Sequence, residues 1–398
     1  MTSLVKGVFI VGAKRTAFGT YGGKLTKSSL TDIQTVAAKA ALTSANVNPE
    51  TVDSVVVGNV LTLSAPDGAF VPRHVLLHCG IPIEKPAYMV NRLCGSGFQS
   101  IVNGILEINA GVANIVLTGG VENMSAAPYA VRNTRFGIPL GTSPVLEDTL
   151  WIGLTDSYCK LPMALTAEKL GEQYSVTRDE VDAFSLRSQQ LWKAAQDAGR
   201  FKEEIVPIPL KVKKETVNFE VDEHPRPQTT KEGLAKLPTL FKPNGLVTAG
   251  SASGICDGAG AVVLASEEAA TKNNLKPLAK IVGYSVVGVD PSIMGIGPAP
   301  AIKNLLKVTG KSLNDIDLVE INEAFAAQTL ACAKELNLDM NKLNVDGGAI
   351  ALGHPLGASG SRIISHLVYE LRRRKAKLGI GSACIGGGQG IAIMIEAL

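Results

Sequence analysis

The chain carries one strand–turn–helix pattern twice, and that duplication restricts it to a paired α/β architecture. Val52-Asp53-Ser54-Val55-Val56 is an apolar strand interrupted by an acid, and Ile316-Asp317-Leu318-Val319-Glu320 has the same form. At a similar distance after each comes a glycine-rich turn that opens a helical pattern. The first turn is Cys94-Gly95-Ser96-Gly97, with Ile101, Ile105, Leu106 and Ile108 behind it at helical spacing. The second is Gly353-His354-Pro355-Leu356-Gly357-Ala358-Ser359-Gly360, with a helix over 361–374. A further apolar strand follows in each copy: 114–118 runs into Gly119-Gly120, and 378–383 runs toward Gly386-Gly387-Gly388. Strands alternating with helices predict mainly parallel sheets. Repetition of the unit predicts that the glycine-flanked turns of the two copies face each other.

The length fits this reading, since 398 residues exceed the roughly 100–200 of one ordinary domain. With 45% hydrophobic and 19% charged residues, a large core is available. Residues 8–11 read as the first core strand and 31–44 as a helix capped at Thr31-Asp32. From about 121 to 248 the alternation is lost. Thr177-x-x-Glu180 is a capping box heading a helix with Val181, Phe184 and Leu191, and 199–244 is rich in charge and proline. This stretch reads as an inserted loop domain within an N-terminal unit, 1–272, which carries Cys94. Alternation resumes at Ala261–Ala265, and the second unit, 273–398, carries Asn322, His354 and Cys384.

Several function classes are disfavoured. Aromatics at 5% supply few stacking platforms for single-stranded nucleic acid. A net charge of +3 makes no case for DNA or a membrane surface. No apolar run reaches the ~18 residues of a membrane span. The six cysteines are scattered, with no CxxC pattern, so no metal site is expected and a reducing compartment is. Lys6, Lys14, Arg15, Lys24 and Lys27 precede the first acid, Asp32, mildly like a mitochondrial transit peptide. Because 7–12 also reads as a core strand, no cleaved presequence is expected.

Four turns carry candidate chemistry, each placed after a strand, where open α/β sheets bind ligands. Cys94 sits where a helix N-terminus favours a thiolate; the alternative is a buried small hydrophobe. Gly95 and Gly97 are expected to take positive φ. His354, open between glycines, can act as the base for Cys94, or be a turn histidine bonded to backbone. Asn322, in Asn322-Glu323-Ala324-Phe325-Ala326, can orient a water or cap a helix. Cys384 precedes Gly386-Gly387-Gly388, whose bare N–H groups can form an oxyanion hole; otherwise it is a buried strand-end cysteine. Two cysteines and a histidine point to thioester chemistry. Arg226, in a proline-stiffened loop, can meet a phosphate or be plain solvated charge. Ser253 can bond an amide-bearing ligand or simply allow close packing.

Those residues resemble the four signatures of the thiolase family: Asn91-Arg92-Leu93-Cys94-Gly95-Ser96-Gly97, Asn322-Glu323-Ala324-Phe325-Ala326, Gly353-His354-Pro355-Leu356-Gly357 and Cys384-Ile385-Gly386-Gly387-Gly388-Gln389-Gly390. Val131–Gly137 and Val221–Thr230 resemble the degradative mitochondrial branch. The resemblance implies a duplicated five-layer αβαβα sandwich with an inserted loop domain. It implies that Cys94 carries an acyl-thioester and that His354 activates it. His354 and a water held by Asn322 would line one oxyanion hole, and the N–H groups of Cys94 and Gly386 a second. Cys384 would be the acid/base. Arg226, Thr229 and Ser253 would contact coenzyme A, with Met294 lining the pocket. The implied reaction is CoA-dependent thiolysis of 3-oxoacyl-CoA in fatty acid β-oxidation; the alternative is condensation to acetoacetyl-CoA. Coenzyme A is then a substrate, with no tightly bound cofactor. A mitochondrial matrix homo-oligomer is implied, a dimer or a tetramer built as a dimer of dimers, without nucleic acid or integral membrane partners. A cysteine protease would use Cys94, His354 and Asn322 but leave Cys384 and the duplication unused. An acyl-CoA-binding scaffold would not need them at all.

Overall fold

The structure is a computed structural model that describes residues 2–398. In chain order the first half supplies β1 (Val8–Thr16), α1 (Leu30–Ser44), β2 (Ser54–Gly58), α2 (Val71–His78), β3 (Ala87–Val90), α3 (Ser96–Asn109) and β4 (Ile115–Asn123). A long excursion holding α4 (Met163–Gln173) and α5 (Arg178–Asp197) returns to β5 (Cys256–Ser266). The second half supplies β6 (Ala279–Gly288), α6 (Pro298–Thr309), β7 (Leu318–Ile321), α7 (Ala326–Leu336), α8 (Ser359–Arg374), β8 (Leu378–Ile385) and β9 (Gln389–Ala397).

The duplication is visible in the strand pairings. β3 and β4 flank β2 in parallel, β5 runs antiparallel to β4, and β1 antiparallel to β5. In the second half β8 is parallel to β7, β9 antiparallel to β8, and β6 antiparallel to β9. Leu343 stands where β3 would, bridging in parallel to Val319. The two acids noted in sequence do the same work: Asp53 Oδ2 accepts from the N–H of Asn114 and Ile115 (2.8 and 3.2 Å), and Asp317 Oδ2 from Lys377 and Leu378 (2.8 and 2.9 Å). The sheets are therefore mixed rather than mainly parallel. In the second half the reversal is a hairpin between β8 and β9, turned by Gly387 and Gly388 at φ 76° and 83°, a region that glycine enters without strain. In the first half the matching reversal holds the whole excursion from β4 to β5.

Alternate residues of the inner strands face opposite layers, as the period of two requires. Val55 and Val57 pack with Leu30, Ile33, Val71 and Val75 of α1 and α2. Val56 turns the other way, onto Phe98 and Ile101 of α3 and Ile363 and Leu367 of α8. The far side of that middle layer is Ile391 and Ile393 of β9, and Met394 faces Ile302 and Ala331 of α6 and α7 beyond. Helices, sheet, helices, sheet and helices thus form the five layers expected. The two sheets touch edge to edge where Ile10 pairs with Ala279.

Local readings needed adjustment. Helix α1 is capped by the Ser29 hydroxyl, which accepts from Asp32 N, rather than at Thr31-Asp32. The strand after Asn114 does not stop at Gly119-Gly120 but runs on to Asn123. Those glycines are there for close approach: a Cβ on Gly120 would lie 1.9 Å from the Gly357 carbonyl oxygen. The capping box at Thr177 and Glu180 does open α5.

Candidate active site

The turns of the two halves meet at the N-termini of α3 and α8. A Cβ on Gly97 would lie 2.7 Å from the carbonyl oxygen of Gly357, and one on Gly360 only 2.1 Å from Phe98 N. These glycines let the backbones touch, which brings Cys94 and His354 to one place. Gly95 and Gly97 do not adopt positive φ; the left-handed residue of the elbow is Leu93, at φ 46°. A branched residue held there stores about 1–3 kcal/mol of strain, which the surrounding packing must outweigh. Ser96 helps: its Oγ accepts from Arg92 N at 2.9 Å and donates to Leu93 O at 2.7 Å.

Cys94 and His354 open onto a cavity of about 200 Å³, lined mainly by apolar groups that include Met124, Trp151, Met163, Phe241, Met294 and Phe325. Ser253 lies on its wall, its N–H donating to Ala324 O at 3.0 Å. Burial pushes the Cys94 thiol up to about 11, although the N–H of Gly386 and of Cys94 itself point at the sulfur and favour the thiolate. The expected thiolate is thus overturned: α3 begins only at Ser96, and desolvation outweighs its terminus.

His354 is buried, which pushes its imidazole down to about 4, so it rests neutral. Its Nδ1 lies 2.5 Å from Ser359 Oγ, whose hydroxyl donates to Pro355 O at 2.9 Å. Ser359 therefore accepts, the proton sits on Nδ1, and Nε2 is the basic position. Asn322 Nδ2 lies 3.2 Å from Nε2. Asn322 is fully buried and caps nothing, because α7 begins after Phe325. Its Oδ1 is buried without a hydrogen-bond partner among the described residues.

Cys384 lies within β8 rather than in a turn after it, packed on Met294 and Ala324. Burial holds its thiol far above the ordinary range, and the next influence is the charge of a Cys94 thiolate, which marks the two sulfurs as neighbours. Arg226 and Thr229 stand apart from the cavity lining. Arg226 is exposed, its N–H donating to Gln189 Oε1 at 2.8 Å, and Thr229 Oγ1 donates to Arg226 O at 2.6 Å. Their loop backs the cavity wall through His224, whose ring fills the space a Cβ on Gly254 would need.

Two residues escaped the sequence reading. Ser359, five residues past His354 at the first position of α8, fixes its tautomer. Glu122 is a fully buried carboxylate at the end of β4, beside Cys94. Its signal was a lone acid closing an apolar strand. Among the described residues no cluster of His, Cys, Asp and Glu can hold a metal ion, and no helix is long and apolar enough to cross a membrane.

Known proteins match this chain from end to end. Residues 8–268 match the family profile described as Thiolase, N-terminal domain, and 275–397 that of Thiolase, C-terminal domain. The mitochondrial 3-ketoacyl-CoA thiolase of Homo sapiens is 60% identical over 99% of both chains. An acetyl-CoA acetyltransferase of Syntrophomonas wolfei is 44% identical over 99% of this chain and 100% of its own. The crystal structure of human mitochondrial 3-ketoacyl-CoA thiolase superposes with a TM-score of 0.97, covering 99% of this chain and 100% of that one. A second, in complex with CoA, also gives 0.97, covering 100% and 99%. A duplicated five-layer body, a cysteine and a histidine brought together by touching glycines, and full-length matches to both family domains have one meaning: the chain belongs to the thiolase family.

Proposed function

We propose that this chain is a 3-ketoacyl-CoA thiolase, an acyltransferase that cleaves 3-oxoacyl-CoA with CoA to give acetyl-CoA and a chain-shortened acyl-CoA. The observation that carries the reading is that Cys94 and a neutral His354 line one apolar cavity, with Cys384 buried directly behind its wall against Met294 and Ala324. With Cys94 near 11 and His354 near 4, a standing ion pair is disfavoured, so the thiol proton passes to Nε2 as the sulfur attacks the 3-oxo carbon. The C2–C3 bond breaks, and its electron pair becomes the enolate of acetyl-CoA. His354 and Asn322 stabilise that oxyanion, and Cys384 gives C2 its proton. Cys384 then takes the proton of an incoming CoA thiol, whose sulfur displaces Cys94 from the acyl carbon, and the leaving Cys94 thiolate takes its proton back from His354. The N–H groups of Cys94 and Gly386, aimed at the sulfur, suit the thioester oxygen in its tetrahedral state.

Coenzyme A acts as substrate in this reading, with Arg226, Thr229 and Ser253 along its path and Met294 against the reacting end. The compartment proposed is the mitochondrial matrix, and the names of the relatives at 58–60% identity support its coarser part, the mitochondrion. Lys14 and Arg15, part of the basic N-terminal stretch, lie inside β1 and so belong to the folded body. A tetramer of two dimers is supported by exposed apolar side chains crowded into the excursion, among them Tyr129, Phe136, Leu140, Val145 and Trp151. The division of the chain near 272 is supported by the repeated pairings. The alternative, acetoacetyl-CoA formation, would use the same groups. Thiolysis of 3-oxoacyl-CoA substrates of graded length tests the proposal. Turnover of medium and long chains is expected, activity on acetoacetyl-CoA alone would favour the alternative, and absence of thiolysis would refute both.

A further inference from the structure

Glu122 is fully buried and spends both oxygens on groups that frame the active site. Oε1 accepts from Asn59 Nδ2 and Leu61 N, each at 2.9 Å. Oε2 accepts from Val60 N at 3.2 Å and from Gly357 N at 2.9 Å. Asn59, Val60 and Leu61 follow β2 in the first half; Gly357 lies in the His354 turn of the second. One carboxylate therefore ties the two halves together between their reactive turns. All four partners are N–H donors, which fill the four acceptor positions of an ionised carboxylate. A protonated carboxyl would bring an O–H that has no acceptor in this ring of donors.

We propose that Glu122 is a positioning residue of the thiolase reaction, whose ionised carboxylate holds the His354 turn in register with Cys94. The assignment rests on the thiolase reading above. Glu122 touches no substrate; it acts through the backbone of Gly357, and through Gly357 on the segment that runs from His354 to Ser359 at the start of α8. The titratable group facing it is Cys94, whose thiolate its charge disfavours. The other groups against it are neutral amides. Asp257, on the adjacent strand β5, has its carboxylate engaged by Ser125 N at 3.0 Å and Ser125 Oγ at 2.5 Å. Burial pushes Glu122 up to about 7 despite its donors, so a modest disturbance neutralises it.

The positional and the electrostatic consequences have opposite signs, which makes the inference testable. Glu122→Gln removes the charge and turns an NH₂ toward two donors. Thiolysis kcat should fall about 10²-fold, the cost of a displacement near 1 Å in a reacting pair. The KM for CoA should stay within about twofold, since no residue on the CoA path is altered. Iodoacetamide labelling of Cys94, followed by mass spectrometry across pH, should move the other way. Without the nearby negative charge its midpoint should drop by roughly one pH unit. Labelling needs no thiolysis, so it tests Glu122 even if the assigned reaction is wrong, whereas an inactive wild type would sink only that reaction. Turnover and labelling that fall together would overturn the inference, and so would a kcat within twofold of wild type. Should Glu122→Gln fail to fold, Asn59→Ala keeps the carboxylate and removes one donor. The acid limb of its kcat profile should then move to higher pH, with recovery in alkaline buffer; an unmoved limb would overturn the proposal.

Discussion

Asn322 and His354 form a pair that fits both protonation states of the imidazole. The amide Nδ2 sits 3.2 Å from Nε2 and donates to its lone pair, while the amide oxygen has no other partner among the described residues. A half-turn of the amide exchanges the two atoms, so that Oδ1 accepts from Nε2–H once His354 has taken a proton. Asn322→Ala should lower kcat by roughly 10²–10³, the range for one lost donor at an oxyanion. Because Asn322 caps no helix but is fully buried, the stability loss should stay near the cost of one buried hydrogen bond, about 1 kcal/mol. A large thermal loss with normal specific activity would assign it a purely structural role.

The depressed His354 has a pH signature in stability. Burial moves it from 6.5 to about 4. Between those values the unfolded chain binds a proton that the folded chain refuses. Stability therefore rises with pH through this window and is complete above it. Over the full window the contribution is about 3 kcal/mol, at about 1.4 kcal/mol per unit. His354→Asn should remove that slope. Urea midpoints at about pH 7.5 and about pH 4.5 should lie closer together in the variant than in the wild type. Equal spacing in both would mean that His354 is solvated in the folded protein.

The glycine contact between the two turns is tight enough to be felt energetically. At Gly360 a Cβ would sit 2.1 Å from Phe98 N, in backbone that cannot yield without moving α3 from α8. Gly360→Ala should cost at least about 1–3 kcal/mol, the usual penalty of overpacking. It should also slow Cys94 acylation, because the same shift separates Cys94 from His354. Calorimetry together with single-turnover acylation checks both, and a variant as stable and as fast as wild type would show that the helices part freely.

Arg226 stands outside the cavity with its guanidinium exposed, where a nucleotide phosphate of CoA would lie in the proposed mode. Arg226→Ala should raise the KM for CoA and leave kcat nearly unchanged, the pattern of lost uniform binding. The effect should be weaker with a pantetheine thiol. Equal losses with both thiols would remove Arg226 from the nucleotide end.

The duplication was legible because each copy needs the same devices: an acid that ends a strand pair, a glycine turn and a helix behind it. Cys94, His354, Asn322 and Cys384 stood out because they lie where those devices repeat. What sequence could not supply was the effect of burial on charge. The N-terminus of α3 argued for a thiolate at Cys94, yet desolvation outweighs it. Glu122 and Ser359 act across turns that only the folded chain brings together, so neither has a local pattern that separates it from an ordinary strand-end acid or helix serine. The parallel-sheet expectation failed for a similar reason. Strand direction depends on the connections, and one reversal hid inside the excursion between β4 and β5.

The two cysteines can be told apart by what each step requires. Cys94 borders the cavity beside His354, with the N–H of Gly386 directed at its sulfur. Cys384 lies within β8, fully buried behind Met294 and Ala324, with its thiol held well above the ordinary range. The first position suits a nucleophile that must reach a carbonyl; the second suits a proton carrier beside a developing enolate. Cys94→Ala should abolish covalent acylation and turnover alike. Cys384→Ala should also collapse turnover, because neither the enolate nor the incoming thiol can exchange its proton. Yet Cys94 in that variant should still take an acetyl group from acetyl-CoA, a step that forms no enolate and that His354 alone can serve. Mass spectrometry after mixing each variant with acetyl-CoA separates the cases. An acetyl adduct on Cys384 in the Cys94→Ala protein, or none on Cys94 in the Cys384→Ala protein, would reverse the two roles.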